Sequence, residues 1–332
     1  MRSLIFYAVY DIMLKNMNFV FFDIECAGVH KTYAKICAFG YVVCDADFNI
    51  LQKEDILINP RGKFELTDRK GEKGIVLPYD YSQFSKCPQF REVYPEIKAL
   101  LEDKNNIVMG HAVLNDVKYL NLETRRFGLP SFNFSFYDSQ LLFMASGNDF
   151  SRQFGLEYIA DALGVEFTPH RAADDAYATM RITEALCKKH GCCFEELKKL
   201  FGCTAGRIAD GTVNPPQCAG FKKYKKDKSE AKRIRSESRV KFYNNLSRKR
   251  RRKQGRLAGK RFNFSRKIED DTEISIHLVD LIYDLGGAYR QRVDECTHYV
   301  SHDGDETDRT KKARECGKIM LSLKQFEELL NG

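Results

Sequence analysis

Between residue 18 and about residue 202, short runs rich in β-branched and aromatic residues alternate with stretches of helical periodicity. That alternation is the pattern of an α/β domain. Strands are expected at 19–24, 36–44, 50–58, 107–109 and 134–137. The first three follow one another with no helix between them, so they read as an antiparallel meander. Helices are expected at 92–101, 113–127, 156–163 and 172–189, the last closed by Gly191. Residues 61–90 show little periodicity and read as a long loop-like insertion. From 203 to 254 the pattern breaks: Pro215, Pro216 and a dense run of Lys and Arg leave few residues able to build a core, so a disordered basic linker is expected there. Periodicity resumes with a strand at 261–264, an amphipathic helix near 275–285, the pair Gly286 and Gly287, a strand at 298–300 and a helix at 323–330. The expected division is therefore 17–202, 203–254 and 255–332. Met17 opens a segment that reads as a natural start, so residues 1–16 are expected to be an extension upstream of it.

Composition narrows the class. A chain of 332 residues, 43% hydrophobic and 30% charged, is long enough for about two cores and excludes collagen-like, wholly disordered and disulfide-scaffold proteins. No apolar run approaches the roughly 18 to 20 residues that span a bilayer, so no membrane partner is expected. The N-terminus makes a poor signal peptide, and eleven cysteines then read as reduced thiols of the cytosol. Cys187, His190, Cys192 and Cys193 lack the paired spacing of a zinc site. The net charge of +8 is local: residues 222–256 hold seventeen Lys and Arg against three acids, a net of +14, which leaves −6 for the rest.

Three places combine carboxylates with inward-facing positions. Asp23 and Glu25 lie two apart in the first strand and project from one face. Two acids so close repel unless a cation sits between them, although a strand end with two solvated acids is common. Asp116 follows the strand at 107–109 and lies beside the apolar stripe of Val113, Val117 and Leu120. Near the start of the helix at 172–189, Asp175 shares a face with Ala178, Ile182 and Leu186, whereas Asp174 points outward. Helical phase therefore selects Asp175, and His170 just ahead of the helix can be aimed at the same acids.

In order and spacing these residues resemble the three motifs of the DEDDh 3′-to-5′ exonucleases, which include the proofreading subunit of bacterial replicative polymerases. The likeness extends over about 18–187. It implies a ribonuclease H-like fold, a mixed sheet flanked by helices, and two Mg²⁺ or Mn²⁺ ions that neutralise the scissile phosphate and supply a deprotonated water. By the same resemblance Asp23, Glu25 and Asp175 hold one ion with Asp23 bridging, Asp116 acts on the second through water, and His170 is the general base. The products would be nucleoside 5′-monophosphates released from a 3′ end. Cys26, Ala27 and Gly28 stand where many members have Thr-Thr-Gly, and Asn115 stands where a large apolar residue usually precedes the second-motif Asp. With His111, these positions are expected to line the substrate.

The basic run, with Lys222, Lys223, Lys225, Lys226, Arg248, Lys249, Arg250, Arg251, Arg252 and Lys253, is expected to track phosphates while Phe221, Tyr224, Phe242 and Tyr243 stack on bases. Residues 255–331 resemble a BRCT domain, a small α/β module, on Leu257 to Phe262, the glycine pair, 297–300, the helix around Lys311 to Ala313, and 319–322 followed by Phe326, which stands where many members have Trp. That likeness implies a protein partner and a phosphate pocket made by Ser265 with Arg309 and Lys311. DNA is favoured over RNA as substrate, in proofreading or repair, with a DNA polymerase as one partner. The rival readings are an RNA exonuclease similar to ribonuclease T or oligoribonuclease, and a scaffold that binds without cleaving. The expected location is the cytoplasm, at the nucleoid, or the nucleus if the source is eukaryotic.

Overall fold

Strand β1, Asn18–Val29, sorts its side chains by parity. Val20, Phe22 and Ile24 enter one apolar cluster while Phe19 and Phe21 enter another on the opposite face. A strand buried on both faces belongs in the interior of a sheet, and β1 is the third of seven strands, between β2 and β4. The computed structural model describes residues 17–65, 76–248 and 253–331. They divide into two compact units, one ending at Tyr224 and one beginning at Lys225. Residues 1–16 and Lys249, Arg250, Arg251 and Arg252 lie outside the described residues.

In the first unit β1 pairs antiparallel with β2 (Ala34–Cys44), and β2 with β3 (Ile50–Leu57), which is the expected meander. On its other side β1 runs parallel to β4 (Asn106–Gly110), and β4 to β5 (Phe134–Asp138). Antiparallel β6 (Gly206–Ala209) and β7 (Thr212–Asn214) complete a mixed sheet in the order β3-β2-β1-β4-β5-β6-β7. Helices α1 (Phe90–Glu102) and α2 (Leu114–Phe127) contribute to the core on one face. The other face is covered by α3 (Ser139–Gly147), α4 (Leu156–Leu163), α5 (Ala172–His190) and α6 (Phe194–Phe201).

The segment expected as a disordered linker is ordered over 203–248. It carries β6, β7 and a 28-residue helix, α7 (Ala219–Leu246). Two features stabilise a helix so rich in like charge. Arg233 bonds Glu230 and Glu237, three and four residues away, and apolar anchors stand near each end. Phe221 and Tyr224 pack against Phe150 at 5.9 and 6.2 Å, and Phe242 is fully buried.

The second unit is a four-stranded parallel sheet in the order β11-β10-β8-β9, made of β8 (Arg261–Phe264), β9 (Ala288–Tyr289), β10 (His298–Ser301) and β11 (Ile319–Ser322). Helices α8 (Arg266–Asp270), α9 (Thr272–Asp284), α10 (Asp308–Glu315) and α11 (Leu323–Asn331) complete it. Phe326 lies fully buried against Phe262 and Phe264. Among the described residues no helix is long and apolar enough to cross a membrane.

Candidate active site

β1 delivers Asp23 and Glu25 to the face it shares with Phe19 and Phe21, because strand side chains alternate. Register pairs Asp23 with Gly40 of β2. A Cβ at Gly40 would stand 2.0 Å from the Ala172 carbonyl carbon and 2.0 Å from the Ala173 nitrogen. The missing side chain is therefore what lets the first turn of α5 rest on the sheet beside the strand acids. Asp175 is buried. Asp174 turns away and pairs with Lys53 of β3 at 2.6 Å, as helical phase requires.

The start of α5 is held from outside. Its N-cap residue, Arg171, makes no side-chain cap, so the first N–H groups need partners. Asp55 of β3 accepts from the Ala173 N–H at 2.8 Å and from Arg171 Nε at 2.8 Å. The Tyr79 hydroxyl accepts from the Ala172 N–H at 2.9 Å and donates to Asp55 at 3.3 Å. Neither residue had a signal in the sequence: Asp55 lies in an exposed-looking strand and Tyr79 in the insertion, and only the tertiary fold joins them.

His170 adopts φ +66°, the left-handed region that non-glycine residues seldom enter. From there its backbone N–H donates to Asp175 Oδ2 at 3.1 Å. One ligand atom each from Glu25, His170 and Asp175 lies within 4.8 Å of the other two. The imidazole is 41% exposed, and its Nε2 lies 3.6 Å from Glu157 Oε1 on α4. Nothing in the spacing of the sequence marks Glu157 as a neighbour of His170. Asp116 is buried in the first turn of α2. The turn ahead of it is fixed by Asp138, which accepts from the Ala112 and Gln140 N–H groups at 3.0 and 2.9 Å.

Burial without a counter-charge dominates the electrostatics. It pushes Asp23 up to about 7, with Asp55 adding to the rise. Glu25 is pushed up to about 9 by burial and then by Asp23, Asp175 and Asp55. Asp175 is pushed up to about 8 by burial and Asp23, against the N–H it accepts from His170. Burial, then Asp23 and Glu25, hold Asp116 well above the carboxylate range. Asp175 Oδ1 is buried and has no hydrogen-bond partner among the described residues. An orphaned carboxylate oxygen among mutually repelling acids suits a hard divalent cation.

The Exonuclease family model matches residues 20–183. Over those residues the chain is similar to that family. Among curated proteins, the DNA polymerase III PolC-type of Staphylococcus aureus is 28% identical over 179 residues, which cover 53% of this chain and 12% of the polymerase. The chain thus spans only about an eighth of that relative's length. A solved exonuclease I structure superposes with TM-score 0.44 and 18% identity, covering 55% of this chain and 43% of that one. Exonuclease I of E. coli in complex with a dT13 oligonucleotide gives 0.40 and 19%, covering 53% and 42%.

Several expected contact residues are engaged elsewhere. Ala27 is fully buried in an apolar cluster with Cys37, Leu77 and Phe84, so its side chain cannot line a substrate. His111 meets the Ser139 hydroxyl at 3.0 Å and the Phe154 carbonyl at 3.1 Å, and burial pushes its pKa down to about 4. It is a neutral structural imidazole. Cys26 is half-buried, Gly28 lies against Glu65, and Asn115 is exposed. The expected base-stacking rings are core residues: Phe221, Tyr224 and Phe242 are packed as described, and Tyr243 donates to Glu269. Lys222, Lys223, Lys225, Lys226 and Arg248 are exposed, and Lys253 pairs with Asp284 at 2.7 Å. Cys187, Cys192 and Cys193 form no metal-ligand cluster among the described residues, and His190 bonds Ser146 instead. In the second unit Ser265 is fully buried and Arg309 is committed to Glu269 and the Gln291 carbonyl. Of that expected anion-binding trio only Lys311 is exposed.

Proposed function

We propose that the first unit is a divalent-metal-dependent 3′-to-5′ exonuclease that hydrolyses DNA to nucleoside 5′-monophosphates. The observation that carries this reading is the meeting of Glu25, Asp175 and His170 within 4.8 Å, in a field shared by Asp23 and Asp116. Asp23, Glu25 and Asp175 would hold one Mg²⁺ or Mn²⁺, and Asp116 would act on a second through water. Bound there, the ions supply positive charge against the scissile phosphate and lower the pKa of water. His170 would take the proton of the attacking water at its imidazole, a task that needs solvent access. Glu157, 3.6 Å from Nε2, stabilises the imidazolium that results. Arg171, Asp55 and Tyr79 hold the backbone from which His170 and Asp175 project.

The second unit supports the BRCT reading through its parallel sheet, in which the second strand lies at one edge and the first beside it. That module favours DNA over RNA and implies a protein partner in replication or repair, with a polymerase among the candidates. The exposed lysines and arginines of α7 supply sequence-blind phosphate affinity without ring stacking. The test is digestion of 3′- and 5′-labelled deoxy- and ribo-oligomers with Mn²⁺. The reading expects stepwise shortening from the 3′ end of the deoxy strand and loss of activity in Asp23→Ala. Preference for the ribo strand would transfer the activity to RNA. Undiminished activity in Asp23→Ala would remove the site, and binding without cleavage would leave a scaffold.

A further inference from the structure

Outside the acidic site, the hairpin of β6 and β7 brings two cysteines together at the root of α7. Arg207, Ile208 and Ala209 pair with Asn214, Val213 and Thr212. The same register returns below the hairpin, where Thr204 pairs with Gln217 through mutual N–H···O bonds of 2.9 and 3.1 Å. Pro215 and Pro216, which have no N–H to give, occupy the intervening positions. One step further out, Cys203 faces Cys218. Because Thr204 and Gln217 exchange both bonds, this next pair occupies a non-hydrogen-bonded position, where opposed Cα atoms lie about 4.5 Å apart and side chains leave on the same face. That separation falls inside the range a disulfide tolerates.

We propose that Cys203 and Cys218 are a redox-active dithiol that closes to an intramolecular disulfide under a peroxide oxidant. The two thiols interact electrostatically, and the Cys218 sulfur accepts from the Phe221 N–H at 3.4 Å in the first turn of α7. The Cys203–Cys218 interaction, with the helix N–H groups and Lys222, brings Cys218 below its ordinary value, against burial. The same interaction and burial drive Cys203 up. The Phe221 N–H that Cys218 accepts at the start of α7 favours its thiolate, which makes Cys218 the nucleophile and Cys203 the resolving thiol. Cys218 is fully buried and Cys203 half-buried, so the pair meets solvent at Cys203.

The Cys218 thiolate attacks one oxygen of hydrogen peroxide and the O–O bond breaks, leaving a sulfenic acid and a hydroxide that takes up the Cys203 proton as water. The Cys203 sulfur then displaces the hydroxyl from the sulfenic sulfur, which leaves as water with a proton from solvent. Two electrons pass from the two sulfurs to the peroxide, and one S–S bond forms. The bond closes residues 203–218 into a loop, tying the edge hairpin to the first residue ahead of α7.

The test treats reduced, full-length protein with stoichiometric hydrogen peroxide, alkylates the remaining thiols and maps peptides without reduction. The expected product is one cross-linked species joining the Cys203 and Cys218 peptides, lighter by two hydrogens and abolished by dithiothreitol. Thermal melts should rise by several degrees on oxidation of the wild type and stay fixed in Cys203→Ser. If both thiols are alkylated under conditions that oxidise the exposed Cys316, or if Cys218 is found joined to a different cysteine, the inference is overturned. The wild-type peptide map decides this even if a variant fails to fold.

Discussion

At the scale of single residues, the site acids carry a cost in the metal-free protein that has a definite pH signature. Asp23, Glu25 and Asp175 have folded pKa values of about 7, 9 and 8, above their ordinary values of 3.8, 4.5 and 3.8. The folded state therefore binds more protons than the unfolded chain from about pH 4 upward. Stability is greatest below the ordinary values and falls as pH rises through the folded ones. Metal-free melting temperatures should decline between pH 5 and pH 9, and Mn²⁺ should restore them at the alkaline end. Glu25→Gln should melt higher than wild type at pH 8 and about equal at pH 4.5, at roughly 2–4 °C per kcal/mol. A flat profile in both proteins would show that these carboxylates are not electrostatically strained. For turnover, His170→Ala should lower kcat by about 10²–10⁴-fold, the usual contribution of a positioned base. It should leave Mn²⁺ binding measurable through the acids.

At the scale of elements, the placement of α5 decides whether the acids meet. Gly40→Val forces side-chain atoms into the Ala172–Ala173 peptide and should cost about 1–3 kcal/mol, as overpacking does, with activity lost beyond the fraction unfolded. Asp55→Ala removes an acceptor for the Ala173 N–H and for Arg171. By analogy with a lost helix cap it should cost about 0.5–2 kcal/mol in denaturant melts, and kcat should fall through misplacement of His170 and Asp175. Unchanged kcat in Asp55→Ala would show that the α5 terminus is held by other contacts. The sequence could disclose β1, α2 and α5 because periodicity is local. The period of two put Asp23 and Glu25 on one face, and the period of 3.6 separated Asp175 from Asp174. Gly40, Asp55 and Tyr79 stayed hidden because their roles depend on register and on contacts more than ninety residues away in the chain. The helix α7 was hidden for a different reason. Its charge density reads as a solvated run, and what orders it is a few i,i+3 and i,i+4 pairs with apolar anchors near its ends.

At the scale of the whole molecule, acidic chemistry and basic affinity occupy different stretches of chain. On the proposed function, the net of +14 over residues 222–256 would attract phosphates by counterion release, and the acidic cluster would perform the reaction. Replacing Lys223, Lys226, Lys232 and Arg235 by Gln leaves the buried anchors of α7 intact. It should flatten the dependence of log K on log salt by up to about 0.7 per lost phosphate contact on single strands. An unaltered slope would show that the helix does not touch the nucleic acid. The central claim is that the carboxylates gathered around β1 and α5 exist to hold a cation, and anomalous diffraction from crystals soaked in Mn²⁺ tests it most directly. The account predicts a peak coordinated by Asp23, Glu25 and Asp175 with His170 facing it across a water. Acids without a peak at saturating Mn²⁺, while the fold is unchanged, would contradict it.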